Sequence, residues 1–475
     1  MNHRTINNPF VFIIFGASGD LARIKLFPSL YDLYEKNKFN TDFIIYGFAR
    51  SKKSQEEFRK YFEESVCAKR KNVNSKRLKE LSRQIFYFTG HYDNYDDYKK
   101  LFEKINSHKL PKHSKKVAYF SVPPQVFNPL ILNLGKLKKE NQENIQLIIE
   151  KPFGEDGNSA HDLFLHVSEY FDEDKEVYLL DHYLGKTGVQ SILPLRYDNS
   201  ILNLMLKGNV IKNIQITVKE NFGIYQRAGY FDQVGIVKDM IQSHMLQIMA
   251  LISMYIPVVY TPRNIQREKY NILSALRFPP DINNVILGQY ASYRTEKDVP
   301  PSSLTATFVA LRLFIDQVDW YAVPIYLRAG KKLDAKSSYI TIEFKKLPFQ
   351  KDPNAPTNKL ILELYPNEKI HIRLIKKQSS ESTVIYEDIV TSETLTCKGD
   401  AYSDEYGRLI LEMLNEDKTN FLSFNEIIEC WRLADYLDKF IEKHQVPIVI
   451  YHDNSQGPEQ QHNLTKIDNN QWYEI

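Results

Sequence analysis

The sequence predicts two domains: an α/β domain built on a parallel sheet, followed by a larger α+β domain with an antiparallel sheet. Its 475 residues exceed the size at which one hydrophobic core keeps growing, so two domains are the expected minimum. Up to about residue 180, short apolar runs alternate with longer amphipathic runs, which is typical of β-α units. After Lys186, longer polar-apolar alternations indicate strands with one solvated face. We therefore predict domains at residues 1–184 and 185–475.

The elements of both domains follow from these patterns. In the first domain, buried strands with helices between them are predicted at residues 10–15, 43–47, 117–122 and 145–150. In the second domain, sheet strands are predicted at residues 211–218, 305–313, 339–344 and 360–364. Long helical patterns cover residues 231–256 and 424–442. The tail from His452 is polar and rich in Gln and Asn, so it is predicted to be loosely held.

Charge and cysteine content argue against several classes of protein. With 62 basic and 59 acidic side chains the formal net charge is +3, so no sustained basic field favours nucleic acid as the main ligand. The cysteines, Cys67, Cys397 and Cys430, lack the paired spacing of a zinc site or a disulfide framework, and no metal is expected. No apolar run approaches the ~18 residues of a membrane span, and the first residues lack a secretory pattern. We expect a soluble, cytoplasmic protein without nucleic-acid or membrane partners.

A glycine turn follows the first strand and opens a helix. Residues 16–22 read Gly-Ala-Ser-Gly-Asp-Leu-Ala, and Leu26, Leu30 and Leu33 then share one helical face. Such a turn aims backbone N–H groups and a helix N-terminus at a pyrophosphate, as in a Rossmann-like dinucleotide-binding domain. The pattern G-x-x-G-D departs from the usual G-x-G-x-x-G, so the glycines alone also fit an ordinary strand-turn-helix.

Other strand ends carry residues suited to a coenzyme crevice. Arg50 follows the second strand where an NAD enzyme would hold the ribose with an acid, and arginine there suits the 2′-phosphate of NADP. Ser-Val-Pro-Pro at residues 121–124 and Glu-Lys-Pro-Phe-Gly at residues 150–154 follow later strands, where proline fixes the chain direction or holds a cis bond. Lys151 is placed to reach a ligand. The alternative is that Arg50 and Lys151 are solvated loop residues.

The segment Leu-Leu-Asp-His-Tyr-Leu-Gly-Lys at residues 179–186 ends an apolar strand with four polar groups. A phosphate dianion needs cationic and hydroxyl donors that converge on it, and a chain with little net charge must concentrate them in one place. Taken alone, the segment fits either such a site or a capped loop.

Together these blocks resemble the glucose-6-phosphate dehydrogenase family. The family pattern G-x-x-G-D-L-A-x-x-K is present at residues 16–25, E-K-P-F-G at 150–154, and an altered R-I-D-H-Y-L-G-K-E at 179–187. The similarity continues in family order at residues 227–232, 239–247, 288–290, 323–331 and 405–410. The resemblance implies an NADP-linked oxidoreductase of the pentose phosphate pathway, a route of glucose and carbohydrate metabolism. It would oxidise D-glucose 6-phosphate at C1 to 6-phosphoglucono-1,5-lactone.

The resemblance also implies the site residues. Those implied in cofactor binding are Gly16, Ala17, Ser18, Gly19, Asp20, Leu21, Lys25, Arg50, Tyr92 and Lys151. Those implied in substrate binding are Lys151, His182, Tyr183, Lys186, Glu220, Asp239, Lys331 and Lys336. Within that set, His182, Tyr183 and Lys186 would hold the phosphate. NAD stays open as a second coenzyme, because Arg50 favours a 2′-phosphate without forbidding its absence.

The same resemblance makes His244 the general base and Asp181 its partner. Oxidation at C1 requires removal of the hydroxyl proton while hydride passes to the nicotinamide, and an imidazole with an unperturbed pKa of about 6.5 suits that step. A carboxylate on the other ring nitrogen fixes the tautomer and favours the imidazolium. Asp239 and His244 are five residues apart, which would separate them by about 140° on an α-helix.

The family further suggests a homodimer or homotetramer formed through the sheet of the second domain. Some members hold a second, structural NADP, for which Arg328 is the candidate here. Two other functions stay open. Sugar oxidoreductases with a Rossmann domain and an open sheet share residues 150–152 but not the blocks around residue 181 or His244. An NADP and sugar-phosphate binding protein or sensor would fit the departures from the family pattern, which are Leu179, Thr187 and Ser243.

Overall fold

The computed structural model describes residues 5–111, 114–224, 228–349, 355–379, 384–395 and 404–475, and the side chains of 377–379 and 384–389 are left undescribed. Arg227 of the block at 227–232 and Cys397 lie outside the described residues. The chain divides into two compact units. The first comprises Met1–Gly185, Thr261–Gln266 and Ala401–Ile428, and the second comprises Lys186–Tyr260, Arg267–Asp400 and Glu429–Ile475. The sequence prediction placed all residues after 184 in the second domain, whereas two later segments join the first unit.

A six-stranded parallel sheet forms the centre of the first unit, in the order β3-β2-β1-β4-β5-β6. The strands are β1 (Phe10–Phe15), β2 (Phe43–Ala49), β3 (Ile85–Thr89), β4 (Lys115–Phe120), β5 (Ile145–Glu150) and β6 (Val177–Leu180). This strand order is that of a Rossmann-like domain, as predicted. The strands β1, β2 and β4 are buried along their whole length, as expected for a parallel sheet covered on both faces. The strand β4 begins and ends two residues before the predicted run at 117–122.

A ten-stranded mixed sheet forms the second unit, in the order β15-β14-β13-β12-β7-β11-β10-β9-β16, with β8 paired to β10. The strands are β7 (Ile211–Lys219), β8 (Leu276–Arg277), β9 (Val285–Tyr290), β10 (Phe308–Ile315), β11 (Ile325–Gly330), β12 (Ser337–Phe344), β13 (Lys359–Tyr365), β14 (Lys369–Ser379), β15 (Val384–Thr394) and β16 (Ile448–Tyr451). Most pairs are antiparallel, but β11 runs parallel to β7 and β16 runs parallel to β9. The predicted antiparallel α+β domain is therefore confirmed with two parallel pairs added.

The helices connect and cover these sheets. They are α1 (Phe27–Glu35), α2 (Gln55–Lys69), α3 (Ser75–Arg83), α4 (Tyr95–Asn106), α5 (Phe127–Asn141), α6 (Gly157–Ser168), α7 (Glu173–Glu176), α8 (Thr187–Gln190), α9 (Ile192–Asp198), α10 (Ser200–Met205), α11 (Ala228–Ile236), α12 (Leu246–Ser253), α13 (Pro262–Ser274), α14 (Glu405–Leu414), α15 (Phe424–His444) and α16 (Gln461–Lys466). Two π-helical segments, Ala22–Leu26 and Val237–Met245, precede α1 and α12. In the first unit, Leu409 and Ile410 of α14 share a buried core with Leu26 and Leu30. No helix in the described part of the chain combines the length and apolar character that a bilayer span requires.

The C-terminal tail is firmly held within the second unit, so the prediction of a loose segment after His452 is wrong. Trp472 is 7% exposed and packs on Tyr326 of β11, with the ring centroids 5.8 Å apart. Asp468 accepts a hydrogen bond of 2.6 Å from Nε of Arg312 in β10. The polar side chains of the tail thus pair with groups that project from the sheet. The tail covers one face of the sheet. The central strands β7, β11 and β12 are therefore buried almost throughout, whereas strands with one solvated face were expected.

Candidate active site

The glycine turn after β1 is held closely against the neighbouring strands β2 and β4. The N–H of Gly16 donates to the carbonyl of Phe48 at 2.8 Å, and the N–H of Gly19 donates to the carbonyl of Gly16 at 2.9 Å. Gly16 has a φ of +88°, and a Cβ there would lie 2.1 Å from the carbonyl oxygen of Ser121. Only glycine fits this position. The turn lies at the carboxyl edge of the sheet, where folds of this kind bind nucleotide phosphates.

Arg50 follows the carboxyl end of β2 and lies beside Tyr92. The Arg50 side chain is exposed, and its guanidinium carbon is 5.7 Å from the centroid of the Tyr92 ring. A cation over an aromatic face at this separation is a favourable contact. The structure thus brings together two residues that were predicted to bind the coenzyme.

Lys25 lies in the π-helical segment Ala22–Leu26 and contacts the start of α14. Its Nζ is 2.8 Å from Oε1 of Glu405 and 5.4 Å from the centroid of the Tyr406 ring. A role was predicted for Lys25 but none for Glu405 or Tyr406. The block at residues 405–410 was the only signal for them, because nothing local indicates which part of the chain they contact.

The strand β5 ends at Glu150, and the peptide bond between the following residues Lys151 and Pro152 is cis. The hydroxyl of Tyr119 in β4 donates to Oε1 of Glu150, and the hydroxyl of Tyr406 lies 3.5 Å from Oε2. Burial raises the pKa of Glu150 to about 7, although the hydrogen bonds from Tyr119 and Tyr406 oppose this rise. Glu150 therefore titrates near neutral pH, and the sequence analysis gave it no role of its own.

Asp181, His182 and Tyr183 lie on a single turn at the end of β6. Asp181 is 1% exposed, and its Oδ1 accepts a 2.9 Å hydrogen bond from the N–H of Tyr183. Nδ1 of His182 is 4.0 Å from the same oxygen, and the His182 ring is only partly covered. The turn therefore buries the carboxylate and leaves the imidazole accessible. Lys186, the last polar group of the segment, is the first residue of the second unit.

Lys331 is held between two carboxylates in the second unit. It directly follows β11, and Glu220 directly follows the adjacent parallel strand β7. Nζ of Lys331 is 2.7 Å from Oε2 of Glu220 and 3.1 Å from Oδ2 of Asp239. Burial alone would lower the pKa of Lys331, but the charges of Asp239 and Glu220 outweigh it and raise the pKa. The structure thus brings together three predicted substrate-binding residues. Lys336, another predicted substrate-binding residue, is exposed, with its Nζ 4.9 Å from the centroid of the Tyr365 ring.

The helical pattern at residues 231–256 is interrupted, and this changes the relation between Asp239 and His244. The helix α11 breaks at Gly235, which has a φ of +68°, and Val237–Met245 is π-helical. Because a π-helix pairs residues five apart, Asp239 and His244 lie one turn apart on the same side of this segment. The predicted separation of about 140° is therefore wrong here. His244 is 2% exposed. The hydroxyl of Ser243, a residue that departs from the family pattern, donates to the carbonyl of Asp239 at 2.7 Å.

Arg328, the candidate for a second coenzyme site, contacts the chain's own tail. Arg328 is 2% exposed, and its Nη2 is 2.5 Å from Oε1 of Glu474. Its guanidinium carbon is 4.3 Å from the centroid of the Trp472 ring. Lys219 reaches the other oxygen of Glu474 at 2.8 Å. The Glu474 carboxylate therefore already pairs with both cations at this position, Arg328 and Lys219.

Comparisons with known proteins agree with this arrangement. Residues 13–191 match the family model described as glucose-6-phosphate dehydrogenase, NAD binding domain, and residues 193–473 match the C-terminal domain of the same enzyme. A cytoplasmic glucose-6-phosphate 1-dehydrogenase of Arabidopsis thaliana is 33% identical over 94% of this chain and 89% of its own length. A chloroplastic one of Nicotiana tabacum is 32% identical over 94% of this chain and 78% of its own length.

Solved structures give the same result. A glucose-6-phosphate dehydrogenase in complex with its substrate glucose 6-phosphate has a TM-score of 0.90 and 31% identity, and all of both chains is covered. A levoglucosan dehydrogenase, with a TM-score of 0.51 and 9% identity, shares the fold alone. The prediction of the family is confirmed by two adjoining family models and by relatives similar along nearly the whole chain. The chain therefore belongs to the glucose-6-phosphate dehydrogenase family of oxidoreductases.

Proposed function

We propose that this chain oxidises D-glucose 6-phosphate at C1 to 6-phosphoglucono-1,5-lactone and passes the hydride to NADP. The observation that carries the proposal is the position of Lys331 between Glu220 and Asp239. Asp239 in turn lies one π-helical turn before the buried His244. Two carboxylates and an ammonium group offer both acceptors and donors to the hydroxyls of a sugar. Family membership and a relative solved with glucose 6-phosphate support the same reaction.

In this proposal His244 takes the proton from the C1 hydroxyl, and Asp181 fixes the tautomer of the imidazole and stabilises its charged form. Both side chains are buried, at 2% and 1% exposure, so their orientations are restricted before the substrate arrives. A carboxylate that accepts the single N–H of a neutral imidazole leaves the other ring nitrogen as the base, and it favours the imidazolium that forms during proton transfer. The positions of His182, Tyr183 and Lys186 then orient the sugar by its phosphate, at the end remote from C1.

The coenzyme site fits a nicotinamide dinucleotide carrying a 2′-phosphate. The glycine turn at Gly16 lies at the carboxyl edge of the sheet, where nucleotide phosphates bind in folds of this kind, and the exposed guanidinium of Arg50 follows the second strand, where the ribose of the adenosine would lie. When bound, NADP supplies the hydride acceptor, and the protein supplies binding and orientation. Lys25, beside Glu405 and Tyr406, and Lys151, directly after β5, would contact both coenzyme and substrate.

The test is the rise in absorbance of reduced coenzyme when the purified protein is mixed with glucose 6-phosphate and either NADP or NAD. Plain glucose serves as the control substrate. We expect turnover with the phosphorylated sugar, a preference for NADP, and loss of turnover in His244→Asn with substrate binding retained. His452→Asn is the matched control, because His452 is exposed. Turnover by His244→Asn at the wild-type rate would refute the assignment of the base.

The same assay separates the two alternatives. The sugar oxidoreductases that share the fold would act on unphosphorylated sugars, so activity with plain glucose alone would favour that group. A binding protein or sensor would retain both ligands without hydride transfer. Membership of the dehydrogenase family favours the enzyme over either alternative.

We also propose that the chain assembles as a homodimer or homotetramer in the cytoplasm. The support is the family resemblance and the presence of cytoplasmic relatives, although chloroplastic relatives are equally similar. Light scattering on the eluted protein would give the number of subunits, and fractionation of the source cell would give the compartment. A monomer, or recovery with an organelle, would contradict the proposal.

A further inference from the structure

The helix α14 supports the turn that carries His182, although more than 200 residues separate them in the chain. The rings of Tyr406 and His182 are nearly parallel, at 6°, with their centroids 6.3 Å apart. Nε of Arg408 donates to the carbonyl of Gly185 at 2.7 Å. A Cβ on Gly185 would lie 2.5 Å from the carbonyl oxygen of Glu405, so the turn and the helix are in close backbone contact.

Tyr406 also connects this turn to Glu150 at the end of β5. Its hydroxyl lies 3.5 Å from Oε2 of Glu150, while the hydroxyl of Tyr119 donates to Oε1. Each oxygen of the carboxyl group therefore faces one tyrosine. The charged groups that influence Glu150 are Lys151, which favours its ionised form, and Asp181, which disfavours it. Lys25, with its Nζ 5.4 Å from the centroid of the Tyr406 ring, pairs with Glu405.

We propose that Glu150 and Tyr406 are positioning residues for the sugar phosphate, which fix the ring of His182 when Glu150 is ionised. A carboxylate accepts hydrogen bonds on both oxygens, so it holds the hydroxyls of Tyr119 and Tyr406 together. A protonated carboxyl carries a hydrogen on one oxygen, so one of the two tyrosines loses its acceptor. Loss of the Tyr406 contact leaves the ring that backs His182 free to move. The inference rests on the proposed role of His182 in binding the phosphate.

The change of state falls near neutral pH, because burial raises the pKa of Glu150 to about 7. Below that pH the carboxyl is neutral and the His182 ring is less well fixed. Above it the carboxylate holds both tyrosines. The affinity for glucose 6-phosphate should therefore contain a component that improves as the pH rises through neutrality, separate from the titration of the phosphate and of His182.

Glu150→Gln isolates that component, because glutamine keeps the shape of the protonated carboxyl at every pH. We expect the ratio of KM for glucose 6-phosphate, variant over wild type, to be near one at about pH 6. It should rise to about three- to ten-fold at about pH 8, the range for loss of one hydrogen bond. The kcat should change less than KM, because C1 is remote from the phosphate. A ratio that stays constant across this range would overturn the proposal.

Two further variants separate loss of the contact between Glu150 and Tyr406 from loss of phosphate binding by His182 as causes of a raised KM. Tyr406→Phe keeps the ring against His182 but removes the hydroxyl, so its KM for glucose 6-phosphate should rise at about pH 8. Combining it with Glu150→Gln should raise KM little further. Additive effects would overturn the coupling. His182→Ala tests the underlying role: an unchanged KM there would refute phosphate binding by His182 itself. A raised KM in His182→Ala with a constant ratio in Glu150→Gln would refute the positioning alone. Glu103→Gln, an exposed site on α4, is the control.

Discussion

Replacement of Arg328 by methionine should destabilise the second unit, because this guanidinium joins the tail to the sheet. It donates to Oγ1 of Thr217 at 3.0 Å, to Oε1 of Gln461 at 2.9 Å and to Oε1 of Glu474 at 2.5 Å. Methionine is of similar length and can keep the apolar contacts of the stem. The change therefore removes the hydrogen bonds and leaves the carboxylate of Glu474 with Lys219.

The expected loss is about 3 kcal/mol of unfolding free energy. The hydrogen bonds from the guanidinium to the neutral acceptors of Thr217, Gln461 and Tyr339 contribute about 1 kcal/mol each, and the one to the Glu474 carboxylate about 2 kcal/mol, which gives an upper figure of about 5 kcal/mol. The Glu474 side chain is 32% exposed, so solvent screens part of its ion pair and reduces this figure. The destabilisation should also depend on pH.

Burial by itself would raise the pKa of Glu474, but Arg328 and Lys219 outweigh it and lower the pKa. A carboxyl with a depressed pKa contributes stability above its unfolded value of about 4.3 and loses that contribution as the pH falls through the depressed value. The difference between wild type and Arg328→Met should therefore narrow in acid.

Urea unfolding followed by tryptophan fluorescence is the assay, because Trp320, Trp431 and Trp472 all belong to the second unit. The midpoint should fall in Arg328→Met with little change in slope. Arg267→Met is the control, since that side chain is 63% exposed and its pair with Glu268 is 3.4 Å long. It should change stability by less than about 0.5 kcal/mol. Equal midpoints for Arg328→Met and wild type at neutral pH would refute the role of Arg328 in holding the tail.

Three other predictions concern ligand binding. Gly16→Ala should weaken NADP binding about 100-fold in a fluorescence titration, because of the left-handed backbone and the 2.1 Å approach of Ser121. Gly19→Ala, whose Cβ would lie 3.2 Å from the carbonyl oxygen of Gly16, should weaken it less. Lys331→Gln should raise KM for glucose 6-phosphate at least about ten-fold through loss of a charged donor, and Lys332→Gln, beside Asp453, should change it far less. A similar KM for both variants would contradict the assignment of Lys331. Arg50→Asp should shift the ratio of kcat/KM for NADP over NAD at least about ten-fold toward NAD, and an unchanged ratio would remove Arg50 from coenzyme selection.

The sequence by itself determined the features that depend on local pattern. Continuous apolar runs marked β1, β2 and β5, because strands buried on both faces contain few polar residues. The glycine at position 16 marked the turn, since only glycine adopts that backbone at so close an approach. The family motifs then pointed to Glu220, Asp239 and Lys331, which the structure brings together.

Tertiary structure alone decided which distant segments meet. Nothing near Glu405 or Tyr406 in the sequence indicates that α14 packs against Lys25, Glu150 and His182, because such contacts depend on how the whole unit closes. The polar composition of the tail predicted a loosely held segment. Composition alone does not identify partners that are distant in the chain, such as Arg312 and Arg328. The π-helical turn that places Asp239 and His244 on one side is likewise set by packing, because an apolar pattern does not distinguish a π-helix from an α-helix.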